Sequence, residues 1–373
     1  MMYFDNNATT RVDPEVLEAM TPYWLEHYGN PSSPHSGGRR PALAVAAARD
    51  ALAALLNAPS DRFVFTSGGT ESNALALHAA LAAAPERREV VISAVEHASV
   101  RDWPQILNPR GYRVRVIPVD GNGALNLDAL ARALTPDTAL VSVMLANNET
   151  GVVYPVAEVA ALARSAGALT HTDAVQAVGK IPVDLAALGV DYASICAHKF
   201  HGPKGVGALY LRQPRGVAPL MPGGDQEFGV RPGTENVAGI VGLGAAATIA
   251  ARWLRLNGPH AQETLRNAFE AWLLHAEPDA VILGRSQPRL PNTTLALFPG
   301  RATETVLARL DLADIAVSSG SACASGAHEP SHVLAAMGYD AKNDAVVRFS
   351  AGRTTTDADY HALRQALSGA LLR

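Results

Sequence analysis

The segment THTDAVQAVGKIPVDLAALGVDYASICAHKFHGPKG, residues 170–205, decides how the rest of the chain is read. One apolar run ends in Asp173, an amphipathic stretch follows, and a second apolar run ends in His198 and Lys199. Strand, helix, strand in that order predicts neighbours in a parallel α/β sheet, whose strand ends share one ligand crevice. Asp173 and Lys199 then converge despite their separation along the chain. A lysine amine beside a carboxylate is the pairing that pyridoxal phosphate (PLP) needs: the amine condenses with the aldehyde, and the carboxylate keeps the pyridine nitrogen protonated. Alone, each residue reads as a helix cap or a solvated charge. The pairing carries the inference.

Working outward, the runs EVVISAVEH, RVRVIPVD, ALVSVMLANNE, ALTHTDA and DYASICAH read as buried strands separated mostly by helical segments. Only Lys199 to Gly205 separates DYASICAH from VGALYLR, too short for a parallel crossover, so these two strands are expected to run antiparallel. Polar residues gather at the strand ends: His97, Asn147 to Glu149, Asp173 with Gln176, and Cys196 with His198 and Lys199. An aromatic ring such as His97 suits stacking on a planar cofactor, and the Gln176 amide suits a phenolic oxygen. Upstream, FVF runs into Thr66, Ser67, Gly68, Gly69 and Thr70 and then a helical pattern, an anion cradle of glycine backbone and helix N-terminus. It matches neither the dinucleotide fingerprint nor the P-loop.

Toward the N-terminus a helix is expected from Pro14 through His27, then a Gly/Ser/Pro loop, then an Ala-rich helix from about Pro41 to Asn57. Beyond Gly216 the chain turns Gly/Pro-rich and then enters an apolar helix, Val237 to about Leu256, read as an inter-domain connector. Short strands (AVILG, NTTLALF, IAVSS, VVRFS) mixed with helices complete a smaller α+β domain. The expected division is 14–256 for the large domain, with 1–13 and 257–373 forming the small one. Within the latter, SSGSACASG sets Cys323 in a Ser/Gly/Ala loop, about 319–330, read as a mobile arm bearing an exposed thiol. Cys196, among apolar neighbours, reads as buried. RFSAGR supplies Arg348 and Arg353, guanidinium groups suited to a substrate carboxylate.

With 373 residues, 48% hydrophobic and 18% charged, the chain has ample material for a large core. A net charge of −4 without basic blocks argues against nucleic acid. No apolar stretch reads as a membrane span and the start lacks the pattern of a signal peptide, so a cytoplasmic protein is expected. Two cysteines make no disulfide framework.

Taken together, YFDNNATT, GNPSSPHS, FTSGGTES, EHASV, ANNETG, HTDAVQAVGK, HKFHGPKG, RPGTEN, SSGSACASG, EPSHVL and RFSAGR occur in the order seen in one family. Over essentially its whole length the chain resembles the class I NifS/IscS-type cysteine desulfurases, which are fold-type I PLP enzymes of the class V aminotransferase family. The resemblance implies a Schiff base on Lys199, Asp173 at the pyridine nitrogen, His97 on the ring and Gln176 at the ring oxygen. It implies phosphate contacts from Gly69, Thr70, His198 and the Cys196 position, with Thr234 reaching the phosphate of a partner in a homodimer. L-cysteine would be held by Asn148 and Arg353, and Cys323 would take the sulfur as a persulfide for an acceptor such as an iron–sulfur scaffold. A selenocysteine lyase, an aminotransferase or a non-catalytic sulfur-relay subunit are the other readings. Two departures stand out: Cys196 occupies a position where many relatives have Ser, and the chain ends at Arg373 where scaffold-dedicated relatives carry a longer docking tail.

Overall fold

The computed structural model describes residues 1–320, 331–340 and 342–371. Its strands in chain order are β1 (Met2–Tyr3), β2 (Phe63–Thr66), β3 (Glu89–Ser93), β4 (Arg113–Ile117), β5 (Thr138–Ser142), β6 (Leu169–Asp173), β7 (Tyr192–Cys196), β8 (Gly207–Leu211), β9 (Val281–Ile282), β10 (Thr293–Phe298), β11 (Ile315–Ala316) and β12 (Ala345–Ser350). Seven of them form one sheet in the order β2-β8-β7-β6-β5-β3-β4. The pairs from β7 through β6, β5 and β3 to β4 are parallel. β8 runs antiparallel to β7 and to β2, as the short connection after Lys199 requires. β2 therefore points the same way as β6 and β7, and the cradle that follows it joins the same sheet edge.

Strands β2, β3, β5, β7 and β8 are buried at every position, which is why they read as unbroken apolar runs. The expectation fails for β4, an edge strand with Arg113 and Arg115 exposed. Both arginines reach the buried Glu89 on the neighbouring strand, at 3.5 and 2.6 Å, and charge at an edge blocks pairing with a further strand.

Two helix expectations need correction and a third needs extending. The first helix stops at Met20 and a short one restarts at Pro22, because proline offers no N–H to continue the first. The Ala-rich helix begins at Ser36, not Pro41, and carries Pro41 inside it. The helix Val237–Arg255 is a core element of the large layer as well as the link to Gly258–Ala276: ten of its residues are buried, and it packs on the Ser36–Leu56 and Pro14–Met20 helices. A Cβ at Gly244 would lie 2.5 Å from the Ala48 Cα, so only glycine permits this helix–helix approach. By length and composition this helix could cross a bilayer, contrary to the sequence reading, and its packing supplies the reason for its apolarity.

A second, antiparallel sheet runs β12-β10-β9, and β1 pairs with β11. Its own core gathers Phe269, Phe298, Phe349 and Tyr360 between this sheet and the helices Gly258–Ala276 and Asp357–Ala370. The N-terminal segment ties the two sheet systems together. Asn6 N–H donates to the Ser350 carbonyl at 3.0 Å, while Thr10 and Asp13 N–H donate to the carbonyls of His198 and His201 at 2.9 and 3.0 Å.

Candidate active site

Four strands deliver polar side chains to one edge of the large sheet. Asp173 is the last residue of β6, and Lys199 ends the 3₁₀ turn Ala197–Lys199 that leaves β7. The Lys199 Nζ donates to the backbone carbonyls of Asn7 and Ala8 at 2.6 and 2.7 Å, so the N-terminal segment holds the amine. The Asp173 carboxylate accepts from the Val175 N–H at 3.0 Å and from the Asn73 Nδ2 at 2.8 Å. Asn73 also donates to Ser99 Oγ at 2.8 Å, and Ser99 meets His97 Nδ1 through its hydroxyl at 2.8 Å and its N–H at 3.2 Å. Since the Ser99 N–H must donate, His97 Nδ1 is an acceptor and a neutral ring carries its proton on Nε2. One buried amide thereby couples the orientation of the carboxylate to that of the imidazole.

The anion cradle forms where β2 turns into the helix Gly69–Ala83. A Cβ at Gly207 would sit 2.8 Å from the Gly68 Cα, so glycine on β8 lets the turn lie down on the sheet. The Cys196 thiol donates to the Val206 carbonyl at 3.9 Å. Burial pushes its pKa up, although the backbone N–H groups of Gly69 and His198 and the Lys199 cation oppose the rise, so the thiol stays protonated. Burial and the cations Lys199, Lys204 and Lys180 push His198 down to about 4, leaving a neutral imidazole whose Nδ1 lies 3.0 Å from Thr9 Oγ1. Thr70 is exposed at the first turn of the helix.

Gln176 Nε2 donates to the Asn7 carbonyl at 3.0 Å, the same oxygen that takes Lys199. Asn147 is consumed in shaping its turn: its Oδ1 accepts from the N–H groups of Glu149 and Thr150, each at 2.9 Å. Asn148 is the half-buried residue of that turn, and its carbonyl accepts from Asn7 and Arg348. Arg348 is buried and pairs with Asp5 at 2.6 Å. Arg353 pairs with Asp13 at 2.8 Å through Nη2, while its Nη1 is buried without a partner among the described residues. Thr234 is exposed, in a loop anchored by Arg231 to Glu71 at 2.8 Å. Cys323 and most of its loop lie outside the described residues.

Sequence reasoning assigned no role to Asn7, Asn73 or Asp13. Asn73 stands one turn past Gly69 on the cradle helix, and that i,i+4 spacing was the available signal.

The model of the family described as Aminotransferase class-V matches residues 2–363. The chain belongs to the class-V aminotransferase family. Among curated relatives of this class-V chain, "Cysteine desulfurase" of Cereibacter sphaeroides is 51% identical over 98% of this chain and 94% of its own. "Cysteine desulfurase NifS" of Azotobacter vinelandii is 47% identical over 96% and 89%. Among solved structures, a "NIFS-LIKE PROTEIN" superposes with a TM-score of 0.91 at 37% identity, covering 99% of this chain and 98% of that one. A NifS-like protein from Rickettsia africae gives 0.88 at 33%, covering 99% of both.

Class-V aminotransferases use PLP, and the residues at this edge fit it. Lys199 offers an amine, Asp173 a buried carboxylate fixed by two donors, and the turn at Gly69 the N-terminus of a helix, beside the neutral His198 imidazole. The arrangement supplies one group for each of the cofactor's aldehyde, ring nitrogen and phosphate.

Proposed function

We propose that this protein is a PLP-dependent cysteine desulfurase that converts L-cysteine to L-alanine and receives the sulfur on Cys323 as a persulfide. The observation that carries the proposal is the convergence of Lys199, Asp173, His97 and the Gly69 cradle on one sheet edge, with a buried Arg353 Nη1 that has no partner among the described residues. When bound, PLP supplies an electron sink for the bond changes at the substrate. The Lys199 amine, anchored on the carbonyls of Asn7 and Ala8, would bind the cofactor aldehyde and move the Cα proton. Asp173 would keep the ring nitrogen protonated and His97 would stack on the ring, while Asn148 and Arg353 would hold the substrate carboxylate.

The Cys323 thiolate attacks the substrate sulfur. The S–S bond forms on the enzyme, the substrate C–S bond breaks, and the carbon skeleton leaves as alanine after protonation. The persulfide then passes to a thiol of an acceptor protein, such as an iron–sulfur scaffold, in the cytoplasm. The exposed Thr234 supports a homodimer in which its hydroxyl completes the partner's phosphate site. Incubating the holoenzyme with L-cysteine and a reductant should release alanine and sulfide in equal amounts. Pyruvate and ammonia, or a requirement for a keto acid, would instead indicate a lyase or an aminotransferase. The mass in solution should be twice the chain mass, and a monomer with full activity would contradict the role given to Thr234.

A further inference from the structure

Lys180 is buried, yet no carboxylate forms an ion pair with it among the described residues. Its Nζ donates to two amide oxygens, Gln176 Oε1 at 2.6 Å and Asn7 Oδ1 at 2.8 Å. The charged and titratable groups around it are Lys199 after β7, Arg348 on β12 (itself paired with Asp5), and the imidazoles His198 and His201. Burial first, then Lys199 and Arg348, push the Lys180 pKa well below the usual lysine value, so an amine in this place costs stability, since a buried charge is ordinarily paired. A Met or Leu of similar volume would avoid that cost. Its two acceptors are the two residues that touch the amine of Lys199 or the same carbonyl: the Asn7 backbone oxygen takes both Lys199 Nζ and Gln176 Nε2.

We propose that Lys180 is a positioning residue of the desulfurase site, whose amine commits Gln176 to present an N–H donor and holds in place Asn7, the carrier of the Lys199 amine. The reasoning is one of inventory. The Lys180 amine donates to Gln176 Oε1 while Gln176 Nε2 donates to the Asn7 carbonyl, and the two bonds together fix the plane of the amide with its second Nε2 N–H left over. Without Lys180 the amide keeps only its bond to the Asn7 carbonyl and swings about it, so the second N–H loses its fixed direction. A donor held in one direction stabilises the phenolate oxygen of PLP better than a mobile one. A donor fixed on that oxygen lowers the proton affinity of the nitrogen attached to the cofactor.

The inference rests on the PLP desulfurase reading. Its test is a pH titration of the visible absorption band of the bound cofactor in the parent, Lys180→Met and Lys180→Arg proteins. Loss of the Gln176 lock should move the midpoint up by about one pH unit. Lys180→Arg, which keeps charge and donors, should stay near the parent. A purely structural lysine would lower the melting temperature in Lys180→Met and leave the midpoint in place. That result, in a variant that binds the cofactor, overturns the inference. Should Lys180→Met fail to fold, Lys180→Ala removes the donor without added bulk and is judged by the same upward shift. A parent that shows no cofactor band, or releases no alanine from L-cysteine, sinks the desulfurase reading instead and this inference with it.

Discussion

Replacing Arg353 by alanine should weaken capture of L-cysteine while leaving PLP binding almost untouched. Arg353 Nη2 is engaged with Asp13 at 2.8 Å, and Nη1 is buried with no partner among the described residues, so one face of the fork awaits an anion. A hydrogen bond to a charged group contributes about 1.5–3 kcal/mol, equivalent to roughly 10- to 150-fold in affinity. Stability should change less. Asp13 is partly exposed and also accepts from the Glu15 N–H at 3.0 Å as a helix cap, so water and that bond replace the lost arginine. The expected result in steady-state kinetics is a KM for cysteine raised by about 10- to 150-fold. A parallel PLP titration should agree with the parent. Arg353→Lys should fall between, because it restores charge but not the planar fork. An unchanged KM in Arg353→Ala, with a large loss of thermal stability, would refute the reasoning and make the Asp13 pair purely structural.

Further outcomes follow from the same geometry. Lys199→Ala should abolish alanine release yet retain PLP through the cradle and Asp173, seen as cofactor co-purifying with an inactive protein; substantial turnover in this variant would contradict the role given to the amine. Asn73→Ala removes the 2.8 Å bonds to both Asp173 and Ser99 and should lower kcat more than it raises KM, since it unfixes the carboxylate and the His97 ring together; an unchanged kcat would show that Asp173 is held adequately by the Val175 N–H. Glu96 is wholly buried, and desolvation pushes its pKa from 4.5 up to about 8 despite bonds from Ser93 and the Met144 N–H. The folded state therefore keeps a proton that the unfolded chain releases, so this contribution is complete below about 4.5 and is lost as pH rises toward 8. Glu96→Gln mimics the neutral acid, and chemical denaturation should show a flatter stability profile across that window; an identical slope would mean that Glu96 is ionised in the native state.

The sheet was legible because buried parallel strands leave long β-branched runs, and because a seven-residue connection cannot cross over. β4 misled for the opposite reason: Arg113 and Arg115 alternate with valines, the signature of an edge, but sat among apolar runs that invited one interpretation for all. Asp173, Lys199, Gln176 and His97 could be found since each ends or follows a strand, where sequence order alone predicts the edge. Asn7 and Asn73 could not, because an asparagine does its work through whichever partners the fold brings near, and those partners lie 100 or more positions away for Asp173 and Asn73 and for Lys199 and Asn7. The Arg353 to Asp13 pair spans nearly the whole chain. The apolarity of Val237–Arg255 carried no mark distinguishing a core helix from a connector until Ala48 was seen against Gly244.

The two cysteines divide the chemistry most sharply. Cys196 is buried at the end of β7, and its thiol is held protonated by burial, so it should be an inert part of the cradle. Mass spectrometry of the holoenzyme after a single addition of L-cysteine, run on the parent, Cys196→Ser and Cys323→Ala proteins alongside alanine release, separates them. The expected outcome is one added sulfur on a peptide containing Cys323 in the parent and in Cys196→Ser, with alanine formed in both, and neither added sulfur nor alanine in Cys323→Ala although it binds PLP and cysteine. A persulfide on Cys196, or alanine from Cys323→Ala at the parent rate, would contradict sulfur transfer through Cys323.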